Sequence, residues 1–334
     1  MKEQKIAVIG FGMWGKNIVR NFYNLNVLDI VCDLDEEVHK IIKEQFPGVK
    51  VTKDFNDIIN DETITGVAVV TPSHTHFKLV KAMLEAGKNV YVEKPISTVA
   101  EEAKVLTELA DEKGLVLMVG HLLLYHPAVN RLKMLIEEGE LGELVYAQSD
   151  RLNVNYHKND RSVMWDLAPH DVSMIAYATG KDPIKVLSAV GCSSDRNEIM
   201  DITHLTIEFE GGMIGQISDS WITPQKHVNL LVRGTKKTAI FDDTAMENKL
   251  KLYDNFVANK TEVIALDYLE IEPLKLECQH FLNCCATGQE ARSDGQNGYV
   301  VVSILEEAEK IMLGSKVKVL DEKEKTFALS RTKQ

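Results

Sequence analysis

The stretch Lys5-Ile6-Ala7-Val8-Ile9-Gly10-Phe11-Gly12-Met13-Trp14-Gly15 decides the fold. Its apolar first half predicts a buried strand, and the residues after it predict a helix that runs to about Tyr23. The glycines follow the pattern G-x-G-x-x-G, in which Gly10 permits a tight turn, Gly12 lets the backbone approach a pyrophosphate, and Gly15 lets the helix pack against its strand. Because the N-terminus of a helix attracts anions, this turn indicates a dinucleotide site.

An acid at the end of the second predicted strand, residues 27–32, supports the same interpretation. Asp33 lies close to the spacing of ~20 residues expected for a carboxylate that binds the ribose. A carboxylate accepts hydrogen bonds from a 2′-hydroxyl but repels a 2′-phosphate, so the sequence predicts NAD rather than NADP. The alternative is that Asp33 only caps a helix over residues 34–45. The remaining predicted cofactor contacts of this region are Phe11, Met13, Trp14 and Leu34.

Composition limits the class of protein. The 334 residues are 45% hydrophobic and 26% charged, which predicts two globular domains. A net charge of -12 argues against nucleic-acid binding. The apolar runs are too short for a membrane span and no secretory signal precedes the first strand, so we expect a cytoplasmic protein. The five cysteines form no Cys-x-x-Cys pair, which predicts neither disulfides nor a metal site.

Strands and helices alternate through the first third of the chain, which predicts a doubly wound parallel sheet in a domain of residues 1–121. Strands at 66–70 and 89–92 end in Thr71-Pro72-Ser73-His74-Thr75-His76 and Glu93-Lys94-Pro95. The carboxyl ends of such strands carry ligands. We therefore expect cofactor contacts from Thr71, Pro72, Ser73, His76, Glu93 and Lys94. His74 and His76 could instead be helix-cap residues, and Ser97 or Thr98 is expected to cap the helix 99–113.

The chain changes character near residues 139–142, and strands at 184–190, 202–209, 213–221 and 227–232 follow. Turn signals between them predict an antiparallel sheet in a second domain, residues 122–334. Two amphipathic helices, 274–286 and 298–313, then return toward the first domain. Residues of this second domain that could line a substrate cleft are Arg151, Asn153, Tyr156, His157 and Arg161. The alternative for each is a solvated residue at a strand end.

Asp166 and His170 are four residues apart, so a helix places them on one face. In one interpretation His170 is a general base that Asp166 orients. Because a helix N-terminus favours the neutral imidazole and a carboxylate favours the charged one, His170 would then titrate near neutral pH. In the other, Asp166 is an N-cap and Pro169 lies in the first helical turn.

The glycine turn, residues 71–76 and Glu93-Lys94-Pro95 together resemble the Gfo/Idh/MocA oxidoreductases. The resemblance implies an N-terminal Rossmann sheet and a C-terminal α+β domain with a large open, mostly antiparallel sheet. It implies that Lys94 lies beside the nicotinamide and the substrate hydroxyl, and that Asp166 and His170 form the catalytic pair. It further implies a homodimer or homotetramer that associates through the open sheet.

Two further segments, 120–127 and 165–171, resemble members that oxidise C3 of UDP-N-acetylglucosamine or its uronic acid. Many relatives carry an Arg pair where this chain has Leu123-Leu124, so an anion contact cannot be carried over to these positions. The resemblance implies an NAD-dependent dehydrogenase of a UDP-sugar, with Lys94 and His170 touching the substrate. A dehydrogenase or ketoreductase of a free sugar or inositol, and a non-catalytic NAD-binding redox sensor, are the alternatives. Whether Lys94 or His170 takes the proton stays open.

Overall fold

The protein has two sheets of different kinds. The structure is a computed structural model that describes residues 4–154, 161–194, 199–256, 261–264 and 271–314. A six-stranded parallel sheet precedes an eight-stranded, mostly antiparallel sheet, which confirms the predicted α/β class. Within the described ranges, no helix combines the length and the apolar character needed to cross a bilayer.

The first sheet has the strand order β3-β2-β1-β4-β5-β6. Its elements are β1 (Ile6–Ile9), α1 (Gly15–Asn24), β2 (Leu28–Cys32), α2 (Glu36–Gln45), β3 (Lys50–Thr52), α3 (Asn56–Asn60), β4 (Gly66–Val69), α4 (His76–Glu85), β5 (Asn89–Glu93), α5 (Ala100–Lys113) and β6 (Leu117–Gly120). The chain progresses outward from β1 on one side and from β4 on the other, so the carboxyl ends of β1 and β4 flank the crevice where ligands bind in such sheets.

The second sheet has the strand order β14-β13-β12-β11-β7-β10-β9-β8. Its elements, with the helices that accompany them, are α6 (Pro127–Glu137), β7 (Leu144–Val154), α7 (Val163–Thr179), β8 (Pro183–Cys192), β9 (Ile202–Phe209), β10 (Met213–Ser220), β11 (Ile222–Gly234), β12 (Lys237–Asp242), β13 (Leu250–Asp254), β14 (Thr261–Val263), α8 (Pro273–Thr287) and α9 (Gly295–Gly314). Strands β7 and β10 pair in parallel, and the other pairs are antiparallel.

Alternating side chains bury one face of the second sheet. In β9, for example, Thr203, Leu205, Ile207 and Phe209 are buried while the residues between them are not. Helices α7 and α9 pack against this sheet, and α9 and α8 also contact α5 and α1 of the first domain. The two sheets therefore share one continuous body of packed helices. The predicted division at residues 121 and 122 stays a prediction.

Three helix starts differ from the sequence predictions. Asp35, whose carboxylate accepts a hydrogen bond from Glu37 N (2.9 Å), is the N-cap of α2, so Asp33 does not cap that helix. Helix α5 starts after Val99 with no side-chain cap. Helix α7 starts three residues before Asp166, which places Pro169 inside the helix and removes the N-cap interpretation of Asp166. Short strands such as β3 and β14 carried too few residues to show a periodic pattern.

Candidate active site

A cleft of about 1410 Å³ runs along the carboxyl ends of the first sheet and reaches the second domain. Side chains and backbone from both domains line it. The predicted site residues among them are Gly10, Gly12, Met13, Trp14, Asp33, Leu34, Thr71, Pro72, Glu93, Lys94, Arg151 and His170. The cleft therefore brings most of the predicted cofactor contacts together with two basic groups of the second domain.

The glycine turn has the geometry that a dinucleotide requires. Gly10 has φ +100°, and a Cβ there would lie 2.5 Å from Val70 O. A Cβ on Gly15 would lie 2.4 Å from Gly10 O, so the first turn of α1 can pack this closely only without a side chain. A Cβ on Gly12 would meet no protein atom within 4 Å and would enter the cleft instead. The turn thus leaves room for a pyrophosphate at the start of α1.

Asp33 is fixed at the end of β2 by two backbone donors. Phe11 N donates to Oδ2 (2.8 Å) and Asp35 N donates to Oδ1 (3.0 Å). Phe11 contributes to the site through this backbone N–H. Its side chain is buried and does not line the cleft. The carboxylate lies at the cleft wall beside the exposed Leu34, in the position suited to a ribose hydroxyl.

His76 does not line the cleft, although the sequence predicted a cofactor contact. It is 1% exposed, and its Nδ1 and Nε2 lie 2.8 Å from Pro95 O and 2.8 Å from Thr71 O. Burial lowers the pKa of His76, and the two carbonyls partly offset this effect. The imidazole therefore joins the loops that follow β4 and β5.

Ser73 and Gly15 also lie off the cleft wall, whereas His74 and Thr75 are on it.

Lys94 connects the two domains. Its Nζ donates to Asp166 Oδ1 (3.0 Å) and to the Asp166 backbone O (2.6 Å). Asp166 Oδ2 accepts a further hydrogen bond from Trp221 Nε1 (3.2 Å). Asp166 thus holds Lys94 and not His170, which corrects the predicted orienting role. The Lys94 ammonium is a stronger partner for this carboxylate than a neutral imidazole, because its hydrogen bond is charge-assisted.

His170 lies on the cleft wall with an unpartnered nitrogen. Its Nδ1 is buried and has no hydrogen-bond partner among the described residues. Burial lowers the pKa of His170 well below its usual value, and the nearby charges of Lys94 and Arg151 lower it further. The expected titration near neutral pH is therefore wrong, because the helix brings no carboxylate to this ring. The lowered pKa favours the neutral imidazole at neutral pH.

Arg151 reaches the cleft but is already paired. Its Nε and Nη2 donate to Asp171 Oδ2 (3.1 Å) and Oδ1 (3.0 Å), and Asp171 is fully buried. Arg161 lies off the cleft, with its guanidinium 4.7 Å from the centre of the Trp165 ring. Asn153 is not on the cleft wall either. The predicted contacts Tyr156 and His157 lie outside the described residues.

Glu93 at the cleft is an unusual acid. Burial raises its pKa to about 7 in spite of the neighbouring Lys94. The Tyr91 hydroxyl donates to Glu93 Oε1 (3.0 Å) and also lies 3.3 Å from Glu277 Oε2. A Cβ on Gly120 would lie 2.6 Å from that hydroxyl, so glycine at this position makes room for the acid cluster.

Several cleft residues were missed by sequence reasoning. Lys226 and Asp243 come from β11 and from the end of β12. Burial alone would raise the pKa of Asp243, but hydrogen bonds from His126 and Lys249 bring it to about 2. These residues follow no local motif, and only the sheet pairing brings them to the cleft. In the part of the chain that the structure describes, no cluster of three His, Cys, Asp or Glu side chains could hold a metal ion.

Comparison with known proteins identifies the family. The model of the oxidoreductase family with an NAD-binding Rossmann fold matches residues 4–121, and the Gfo/Idh/MocA C-terminal domain matches residues 129–240. The chain belongs to the Gfo/Idh/MocA oxidoreductases. This Gfo/Idh/MocA protein is an enzyme with an NAD-binding domain, as the glycine turn predicted.

Relatives of this Gfo/Idh/MocA chain have different substrates in their names. The chain is 30% identical to scyllo-inositol 2-dehydrogenase (NADP(+)) IolW of Bacillus subtilis, over 61% of this chain and 60% of that protein. It is 25% identical to UDP-N-acetylglucosamine 3-dehydrogenase of Acidithiobacillus ferrooxidans, over 91% and 95%. A solved structure of UDP-N-acetylglucosamine 3-dehydrogenase GnnA from that organism shares the fold, with a TM-score of 0.82, 23% identity and coverage of 93% and 98%.

Proposed function

We propose that the protein is an NAD-dependent dehydrogenase that oxidises a secondary hydroxyl of a sugar, most specifically C3 of UDP-N-acetylglucosamine or a related UDP-sugar. One observation carries the proposal. Lys94 of the first sheet and His170 of the second domain line the same cleft as the glycine turn and Asp33. A hydride donor placed against Lys94 and His170 would lie beside the nicotinamide of a dinucleotide bound along the cleft.

Lys94, His170 and Asp166 would each have a different role in the oxidation of the alcohol. NAD supplies the hydride acceptor when it is bound. The Lys94 ammonium stabilises the negative charge that develops on the substrate oxygen. His170 is neutral and so can accept the hydroxyl proton. Asp166 holds the Lys94 ammonium in place through two hydrogen bonds.

The nucleotide part of the substrate is supported by cations on the cleft wall. Lys226 and Arg151 lie on the same wall as His170. Ammonium and guanidinium groups bind phosphate oxygens, and Lys226 could pair with a diphosphate. Arg151 is held by Asp171 and would offer only the N–H groups that this pair leaves free. The relative named UDP-N-acetylglucosamine 3-dehydrogenase aligns with nearly the whole chain. Leu123, where many relatives carry arginine, gives the cleft an apolar contact instead.

A polyol such as an inositol is the second candidate substrate, because a relative with that substrate in its name is 30% identical to this chain. A panel of UDP-sugars, free sugars and inositols, incubated with protein and NAD, separates the two by the rate of NADH formation. We expect UDP-sugars to give the highest kcat/KM. A higher value for free inositol or glucose would replace the proposed substrate, and no NADH with any alcohol would favour a sensor.

We also propose that two copies associate through the outer face of the second sheet. The helices that pack on this sheet in the described part of the chain cover its inner face. The edge strand β8 exposes Ile184 (55%), Leu187 (47%) and Val190 (50%). Clustered exposed apolar side chains are typical of an interface. Light scattering of the purified protein measures this, and a strictly monomeric mass would contradict it.

A further inference from the structure

His121 is a buried histidine with no assigned role, and its neighbours Gly120 and Leu122 line the cleft. It follows β6, and the pairing of Glu93 with Gly120 places Lys94 and His121 next to each other at the ends of β5 and β6. Its side chain is 1% exposed. Neither ring nitrogen has a hydrogen-bond partner among the described residues.

A second histidine shows that this is unusual. His76 is also 1% exposed, but both of its nitrogens lie 2.8 Å from backbone carbonyls. Buried polar atoms without partners are rare in folded proteins and call for an explanation. His76 and His121 are equally buried, but only His76 has protein partners. His76 is therefore a structural imidazole, whereas a bound molecule would have to be the partner of His121.

His170 also has a buried ring nitrogen that lacks a hydrogen-bond partner among the described residues. Its Nδ1 is buried and without a partner in the described ranges, whereas the ring itself lies on the cleft wall. The segment 122–125 that follows His121 packs against α7, the helix that carries His170. His121 directly precedes this segment, and its charge is one of the effects that lower the pKa of His170. Asp166, which the sequence proposed as the partner of His170, is occupied by Lys94 and Trp221.

We propose that His121 is the positioning residue for His170, and that one bound water joins a lone pair of His121 to the Nδ1–H of His170. This bridge fixes the tautomer in which the Nε2 lone pair of His170 faces the cleft. Which nitrogen of a histidine carries the proton is set by the hydrogen bond that the other nitrogen makes. The benefit to catalysis rests on the proposed function, but the tautomer itself does not.

The charges around the two rings agree with this assignment. Burial lowers the pKa of His121 to about 3, and the charge of Lys94 contributes to the shift. Lys94 and Arg151 face His170 and also disfavour its protonation. Both imidazoles are therefore neutral near pH 7, so one can donate from a nitrogen while the other accepts.

The test is the tautomer of His170, read from the nitrogen-15 chemical shifts of protein labelled on histidine, without substrate. The chain has 10 histidines, and the signal of His170 is identified by its loss in His170→Asn. We expect wild type to show Nδ1–H and an unprotonated Nε2. His121→Phe removes both nitrogens at similar volume, and we expect His170 to become a mixture of tautomers. His121→Asn keeps a carbonyl acceptor and should restore the single form, while the His76 signals stay unchanged as an internal control.

An unchanged tautomer in His121→Phe, or an Nε2–H form in wild type, would overturn the proposal. His121→Leu gives the same comparison if the Phe variant does not fold. With an accepted substrate, His121→Phe should lower kcat by roughly 5- to 100-fold, the range for losing one hydrogen bond to a buried group, with the KM for NAD unchanged. His121→Asn should recover most of that loss. A protein that oxidises no sugar would refute the proposed function and leave the tautomer result valid.

Discussion

The Lys94 ammonium lies 2.6 Å from the backbone oxygen and 3.0 Å from the carboxylate of Asp166, a residue 72 positions later in the chain. This contact brings the end of β5 to the helix α7 of the other domain. Because Asp166 also accepts a hydrogen bond from Trp221 Nε1, the ends of two strands and helix α7 together fix the Lys94 ammonium. The position of Lys94 in the cleft therefore depends on Asp166 and Trp221, which do not line the cleft.

Trp221→Phe should lower kcat without changing NAD binding. The change removes the indole N–H that holds Asp166 Oδ2 (3.2 Å) and keeps an aromatic ring in the core. We expect a loss of about tenfold, which corresponds to one hydrogen bond to a charged group. The matched control is Trp165→Phe in α7, which removes a similar hydrogen bond to Glu309 of α9 (2.8 Å). Equal losses in the two variants would mean that Trp221 acts only on folding.

Asp33→Asn should reduce the preference for NAD over NADP. The amide oxygen can still accept the hydrogen bond from Phe11 N, but the negative charge that repels a 2′-phosphate is gone. We expect the ratio of kcat/KM for the two cofactors to move toward NADP by about tenfold or more. Asp35→Ala, which removes the neighbouring carboxylate at the start of α2, serves as the control. A wild-type enzyme that prefers NADP would contradict this assignment of Asp33.

Lys94→Met and His170→Asn should each lower kcat by roughly 10²- to 10⁴-fold and leave NAD binding intact. If the two groups act on the same transition state, the double variant loses much less than the product of the two losses. Because the pKa of His170 lies well below its usual value, the wild-type kcat should not fall through His170 protonation between pH 8 and pH 6.5. If the wild-type kcat falls between pH 8 and pH 6.5, and this fall is absent in His170→Asn, then the pKa of His170 is higher than the structure indicates.

The stability of the protein should depend on pH through the buried acids. The single Tyr91 proton can serve only one of the carboxylates of Glu93 and Glu277, and both acids are buried. Burial raises the pKa of Glu93 to about 7 and that of Glu277 well above its usual 4.5. The folded state then binds more protons than the unfolded state from about pH 4.5 upward, so the free energy of unfolding falls as the pH rises through 7.

Glu277→Gln keeps a donor toward Tyr91 without a charge, and it should flatten this dependence. We expect the variant to be more stable than wild type at pH 8 by at least about 1 kcal/mol, the free energy of one pKa unit. Urea unfolding at pH 5 and pH 8 measures the difference, with the exposed Glu112→Gln as control. A variant less stable than wild type at pH 8 would show that Glu277 is ionised in the folded protein.

Local sequence patterns predicted those features of the protein that depend on residues close together in the chain. The glycine turn, Asp33 and the strand end at Lys94 could be read from spacing, because a strand, a turn and a helix are neighbours in the chain. The partner of Asp166 could not be read, since Lys94 reaches it only after two domains pack together. Spacing placed Asp166 and His170 on one helical face but could not say which neighbour would bind each side chain. The roles of His121 and Trp221 needed burial and contacts.

The most direct test of the proposed function follows a deuterium atom. UDP-N-acetylglucosamine labelled with deuterium at C3 is incubated with the protein and NAD, and the NADH is analysed by mass spectrometry. We predict that the NADH carries the deuterium, that substrate labelled at C4 gives unlabelled NADH, and that Lys94→Met greatly slows the transfer. Unlabelled NADH from the C3 substrate, or no NADH at all while an inositol is oxidised, would contradict the account.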